Sequence, residues 1–84
     1  MSWVKGQYLW VRTARQGAVI IVIKRSLGKA VVRNRLKRRL RVLCRESAAH
    51  LSLVILPCPL AVDAKYSQLG LELKRLLAKL EQET

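Results

Sequence analysis

From Gly28 to about Ala49 the apolar residues mark out one narrow helical face. Val32, Leu36, Leu40 and Leu43, advanced at 100° per residue, fall in a stripe less than about 90° wide. Arg33, Arg35, Lys37, Arg38, Arg39, Arg41 and Arg45 spread over roughly two thirds of the circumference. A helix of about five turns with this pattern offers only its leucine edge to a core, which places it on the outside of a layered fold. Arg33, Lys37, Arg41 and Arg45 also stand four apart. Each like-charged neighbour pair costs an isolated helix ~0.2–0.5 kcal/mol, and no acid inside the run relieves it. Such local conflict with stability is expected where a partner supplies the missing charge.

The rest of the chain narrows the class of partner. Its 84 residues form one domain, residues 1–84, and 51% hydrophobic content excludes a disordered tail despite a net charge of +12. Thirteen Lys and Arg and no acid lie before Glu46, whereas four bases and five acids follow Arg45. A pI near 11.0 with this asymmetry fits nucleic acid or an anionic membrane surface and argues against a small acidic substrate, for which two or three cations suffice. Cys44 and Cys58 are too few for a disulfide scaffold and have no partners at metal spacing, so both are expected to be reduced thiols. The apolar runs 18–23 and 53–56 are far shorter than the ~20 residues that span a bilayer, and the N-terminus shows no secretory pattern. A cytoplasmic protein without a membrane partner is expected.

Gln7 to Arg12 alternates as a strand, with Tyr8, Trp10 and Arg12 on one face and Leu9 and Val11 on the other. A turn around Gly17 leads to a β-branched run, residues 18–24, read as a strand buried on both faces and forming a hairpin with the first. After the basic helix, residues 51–56 give a third strand, closed by Pro57 and Pro59. Leu69, Leu73, Leu76, Leu77 and Leu80 repeat as a final helix with Asp63 as its cap, although Gly70 inside it costs ~1 kcal/mol. The order ββαβα predicts a small α/β domain with one sheet, in which the second and third strands are parallel neighbours.

Six of the eight cations from Lys29 to Arg45 are arginine, whose planar fork matches phosphate geometry. Asn34 stands among them, able to reach a base edge or a sugar hydroxyl. Two competing readings fit less well. A DNA recognition helix needs a few base-reading polar positions rather than charge wrapped around the axis. A membrane-surface helix needs a broad apolar face with Trp or Phe. Gly28-Lys29 lacks the Ser or Thr and the upstream glycine of a phosphate-binding loop. His50 has no nearby Cys or Asp, and Asp63, Glu72, Glu81 and Glu83 read as a cap and the exposed face of the last helix. The chain thus offers no catalytic residues and no metal site of its own, and any hydrolysis has to come from a partner.

The run from Gly28 to Arg41, GKAVVRNRLKRRLR, closely resembles the Arg-Asn-Arg signature helix of the bacterial ribonuclease P protein subunit. The resemblance extends upstream through Ile23-Lys24-Arg25-Ser26, where the family usually has Val-Ser-Lys-Lys, and downstream through residues 53–59 and 66–79. It implies a left-handed crossover carrying the signature helix between parallel strands. It also implies that the RNA subunit is the catalyst, removing the 5′ leader of precursor tRNA with bound Mg2+, and that the protein binds this RNA. By resemblance, Arg33, Asn34, Arg35, Lys37, Arg38 and Arg41 dock the catalytic RNA, while Lys24, Arg25, Ser26 and Lys29 border both RNA and leader; Arg45 joins the RNA-binding candidates by its place on the same charged face. Tyr8, Trp10 and Arg12 are the candidates for the leader itself, since base–aromatic stacking is worth ~1–3 kcal/mol per base.

The chain also departs from the family pattern. The family's N-terminal helix and first strand, with their Phe-rich segment, are expected to be missing, which leaves a sheet edge open to weak self-association. Cys58 stands where the family has an arginine, and Val42 where it has an acid. A generic basic RNA- or DNA-binding module without a ribozyme partner is the alternative.

Overall fold

The computed structural model describes residues 3–14, 19–48 and 52–83. In chain order these form β1 (Val4–Lys5), β2 (Leu9–Thr13), β3 (Val19–Ile21), α1 (Ala30–Ala48), β4 (Leu53–Pro57) and α2 (Tyr66–Glu83). Single 3-10 turns occupy Arg25–Leu27 and Pro59–Val62. The expected ββαβα order is present, preceded by one short strand.

The sheet order is β1-β2-β4-β3. As expected, β3 and β4 are parallel neighbours, paired from Val19↔Leu53 to Ile21↔Ile55. The expected hairpin between the first two long strands does not form. Instead β4 lies between them, antiparallel to β2 from Leu9↔Pro57 to Thr13↔Leu53. The reason is visible in its composition: Leu53, Val54, Ile55 and Pro57 are all buried, and a β2–β3 hairpin would leave this apolar strand at an edge. Consequently β3 is the edge, and it is not buried on both faces. Val19 and Ile21 pack against the core, whereas Ile20 is 49% exposed. At the other side, β1 covers part of the edge where self-pairing was expected, through Val4↔Val11 and Lys5↔Trp10.

Both helices pack on one face of the sheet. Leu9, Val11, Leu53 and Ile55 meet Leu36, Leu40 and Leu43 of α1 and Leu69, Leu73, Leu76, Leu77 and Leu80 of α2 in a single core. Gly70 lies where the helices approach, since a Cβ there would stand 3.2 Å from Leu43 Cδ2. Asp63 does not cap α2; it closes the preceding 3-10 turn. The Lys65 backbone N–H donates instead to Gln68 Oε1 at 2.8 Å, half of a capping box. The expected turn at Gly17 and the lone His50 lie outside the described residues. Among those described, no helix is long and apolar enough to cross a membrane.

Glu72 is not on the exposed face of α2. It is buried, and its carboxylate accepts backbone N–H bonds from Gln7 (2.6 Å), Tyr8 (2.6 Å) and Leu9 (2.8 Å), in the bend between β1 and β2. Three consecutive amides turned toward one point form an anion-binding nest, and the helix supplies the anion. Gly6 fits closely beside it: a Cβ there would stand 2.6 Å from Glu72 Cδ, so any larger residue would push the carboxylate away. Losing the carboxylate strands one buried and two part-buried donors, so Glu72→Ala is expected to cost about 2–4 kcal/mol. In a domain of this size that lowers Tm by roughly 10–25 °C. Thermal melts should show this loss, and Gly6→Ala should lose stability in the same direction.

Candidate nucleic-acid interface

The leucine stripe of α1 does what its spacing demands. Leu36, Leu40 and Leu43 are buried, with Cys44 beside them, and the opposite side of the helix faces solvent. Asn34, Arg35, Arg38, Arg41 and Arg45 are exposed, and Arg33, Lys37 and Arg39 are half-buried. Glu46, near the C-terminal end, is the one acid in the helix. Among the described residues no ion pair joins a carboxylate to these cations. Among the described residues, self-repulsion along the ridge is therefore unrelieved. Asn34, Lys37, Arg38 and Arg41 line one shallow depression with Val31, of about 560 Å³. Arg33 leans on the protein, and its Nε is buried without a hydrogen-bond partner.

Ahead of α1, the turn Arg25–Leu27 is anchored by buried Leu27, with Ile23 packed against the core. This fixes the backbone while Lys24, Arg25, Ser26 and Lys29 stay exposed. Lys24 and Ser26 then line a cleft of about 210 Å³ with Trp10, Leu27, Leu56, Pro57, Cys58 and Pro59. The structure thus brings Trp10 together with the basic turn, although they lie far apart in sequence. Burial pushes the Cys58 thiol up, the Glu72 carboxylate acts in the same direction, and Lys24 opposes them. Cys44 is pushed up to about 11 by burial. Both are free thiols, and upward shifts favour the protonated form, so neither is primed as a nucleophile.

The sheet face turned away from the helices carries a second group. Lys5 and Trp10 are register partners. Lys5 Nζ lies 4.7 Å from the centroid of the Trp10 ring, and Arg12 Cζ lies 5.0 Å from that of Trp3. The two indoles are 6.5 Å apart, tilted by 55°. Arg12 Nε is buried without a hydrogen-bond partner. Aromatic planes interleaved with cations can stack bases and meet phosphates. Tyr8 does not join this group, because it sits in the bend before β2 and packs against the core. Trp3 and Lys5 escaped the sequence reading; the alternation of Trp3, buried Val4 and Lys5 was the available signal, but two paired residues are too few to register as a strand.

Among the described residues no three His, Cys, Asp or Glu gather as a metal site. The assembled features are an exposed arginine ridge, a basic turn and an aromatic–cationic sheet face, joined through the Trp10–Lys24 cleft. That combination has the chemistry to meet extended, phosphate-bearing chains.

Comparison with known proteins agrees with this chemistry. The family model for Ribonuclease P matches residues 5–81. The ribonuclease P protein component of Thermus scotoductus is 41% identical over 80 residues, covering 89% of this chain and 48% of that protein. Its counterpart in Cyanothece sp. is 46% identical over 66 residues, 74% of this chain and 50% of that protein. The chain spans about half the length of these curated relatives. A Staphylococcus aureus RNase P protein mutant with defective mRNA degradation activity superposes with a TM-score of 0.81 at 23% identity, covering 95% of this chain and 75% of that one. The RNase P protein from Thermotoga maritima gives 0.75 at 23% identity, over 93% and 82%. The fold is shared with these structures, and by its sequence the chain belongs to the ribonuclease P protein component family.

Proposed function

We propose that this chain acts as the protein subunit of ribonuclease P, in the cytoplasm, where it docks the catalytic RNA through α1 and helps to hold the 5′ leader of precursor tRNA. The observation that carries the reading is the solvent-facing arginine ridge, unneutralised among the described residues, on a helix with the family's Arg-Asn-Arg sequence. Arg35, Lys37, Arg38, Arg41 and Arg45 contact phosphates, and Asn34 among them reaches a sugar or base edge. Arg33 uses its half-buried position to set the ridge against the RNA. Lys24, Arg25, Ser26 and Lys29 carry the positive surface from the ridge to the Trp10 cleft. Single-stranded leader then lies on the open sheet face, where Trp10 and Trp3 stack bases and Arg12 and Lys5 meet phosphates. Hydrolysis belongs to the RNA with its Mg2+, and the protein contributes binding and electrostatics.

Affinity for ribonuclease P RNA is expected to fall about 10³-fold or more between 50 and 200 mM salt, because several phosphate contacts release counterions. Filter binding over a salt series measures this, and a flat response contradicts the reading.

Arg35→Ala is expected to weaken holoenzyme assembly by about 1–2 kcal/mol and to reduce the salt slope by about 1. Arg12→Ala should leave assembly near the unsubstituted value and weaken leader-dependent binding of precursor tRNA instead. Equal losses from both substitutions in the assembly assay would favour a generic basic nucleic-acid module.

A further inference from the structure

The bend that Glu72 holds lies next to the aromatic face. Gly6 N–H donates to the Leu9 carbonyl at 2.8 Å, while Leu9 N–H, which would return to Gly6 in a closed two-residue hairpin, goes to Glu72. The carboxylate therefore replaces a ladder bond at the point where β1 turns into β2. β1 has only two residues, too few to keep its own place on the sheet. Its register sets Lys5 opposite Trp10 and brings Trp3 to Trp10 and Arg12. Glu72 sits on α2 between buried Leu69, Leu73 and Leu76, so its own position is fixed by the core.

We infer that Glu72 is a positioning residue for single-stranded RNA: through the amides of Gln7, Tyr8 and Leu9 it holds β1 in register and so builds the Trp3–Lys5–Trp10–Arg12 face. The inference rests on the proposed role of that face. Glu72 touches no RNA. A core carboxylate on the helix side thereby governs a binding surface on the other side of the sheet, whereas the α1 ridge, held by its own leucine stripe, does not depend on it.

The chain's two tryptophans are Trp3 and Trp10, so near-ultraviolet circular dichroism and indole emission report on this face directly. The test uses Glu72→Gln, which keeps the shape but turns an amide NH2 toward backbone donors, and Gly6→Ala, which displaces the carboxylate while keeping its charge. Both are studied at a temperature where far-ultraviolet spectra show a folded chain, so failure of one to fold leaves the other. Binding is measured to a fluorescein-labelled short oligouridylate and to ribonuclease P RNA, with Trp10→Ala for comparison. The folded variants are expected to change the tryptophan signal and to lose about fivefold or more in oligouridylate affinity, with affinity for the structured RNA held within about twofold. An unchanged tryptophan signal in a folded variant overturns the inference, as does an equal loss for both RNAs. If Trp10→Ala binds oligouridylate like the unsubstituted chain, the role of the face fails, while the spectra still decide whether Glu72 builds it.

Discussion

α1 is held to the molecule by a strip of leucine that occupies about a quarter of its circumference, and the remainder of the architecture follows from that economy. Leu36, Leu40 and Leu43 enter the core between the sheet and α2, which leaves Asn34, Arg35, Arg38, Arg41 and Arg45 exposed. A broader apolar face would have buried some of the charge or forced its replacement. The C-terminal half, with four bases and five acids, supplies most of the core around this helix, and among the described residues none of its carboxylates pairs with the ridge. A ridge of this kind conflicts with local stability, and the proposed function assigns its neutralisation to a partner.

The two-layer arrangement has a second consequence. With both helices on one face of a four-stranded sheet, the other face is free to carry Trp10 and Arg12 from β2 and Lys5 from β1. The 3-10 turn at Arg25–Leu27 bridges the two surfaces, because Lys24 and Ser26 look into the same cleft as Trp10 while α1 starts shortly after. Ridge and platform are thus adjacent parts of one positive surface. One suits structured RNA by its density of guanidinium groups, the other a single strand by its aromatic planes.

The helices and the inward face of β2 were legible because they rest on local periodicity. The leucines of α1 and α2 fell where the 3.6-residue repeat placed them, and Leu9 and Val11 alternated inward as read. What escaped was non-local. Nothing near β2 or β3 in sequence announces that β4 will insert between them; only competition for the best-covered position decides it. Glu72 looked like any acid on an amphipathic helix until the bend at Gly6 was seen to present three amides to it. Trp3 and Lys5 acquired meaning only through the register of a two-residue strand. In the candidate site the exposed side of α1 was therefore readable, and the sheet face only in part, since Tyr8 packs against the core and does not join Trp10 and Arg12.

On the proposed function, the arginine ridge, unneutralised among the described residues, finds its counterions in RNA. The most direct measurement is Tm as a function of NaCl at low ionic strength, for the free chain and for its complex with ribonuclease P RNA. The account predicts that salt raises the Tm of the free chain, by screening repulsion within a Debye length of about 10 Å at 0.1 M, and shrinks the stabilisation that RNA confers. A free chain that loses stability as salt is added would show that its cations are already paired, and would contradict the account.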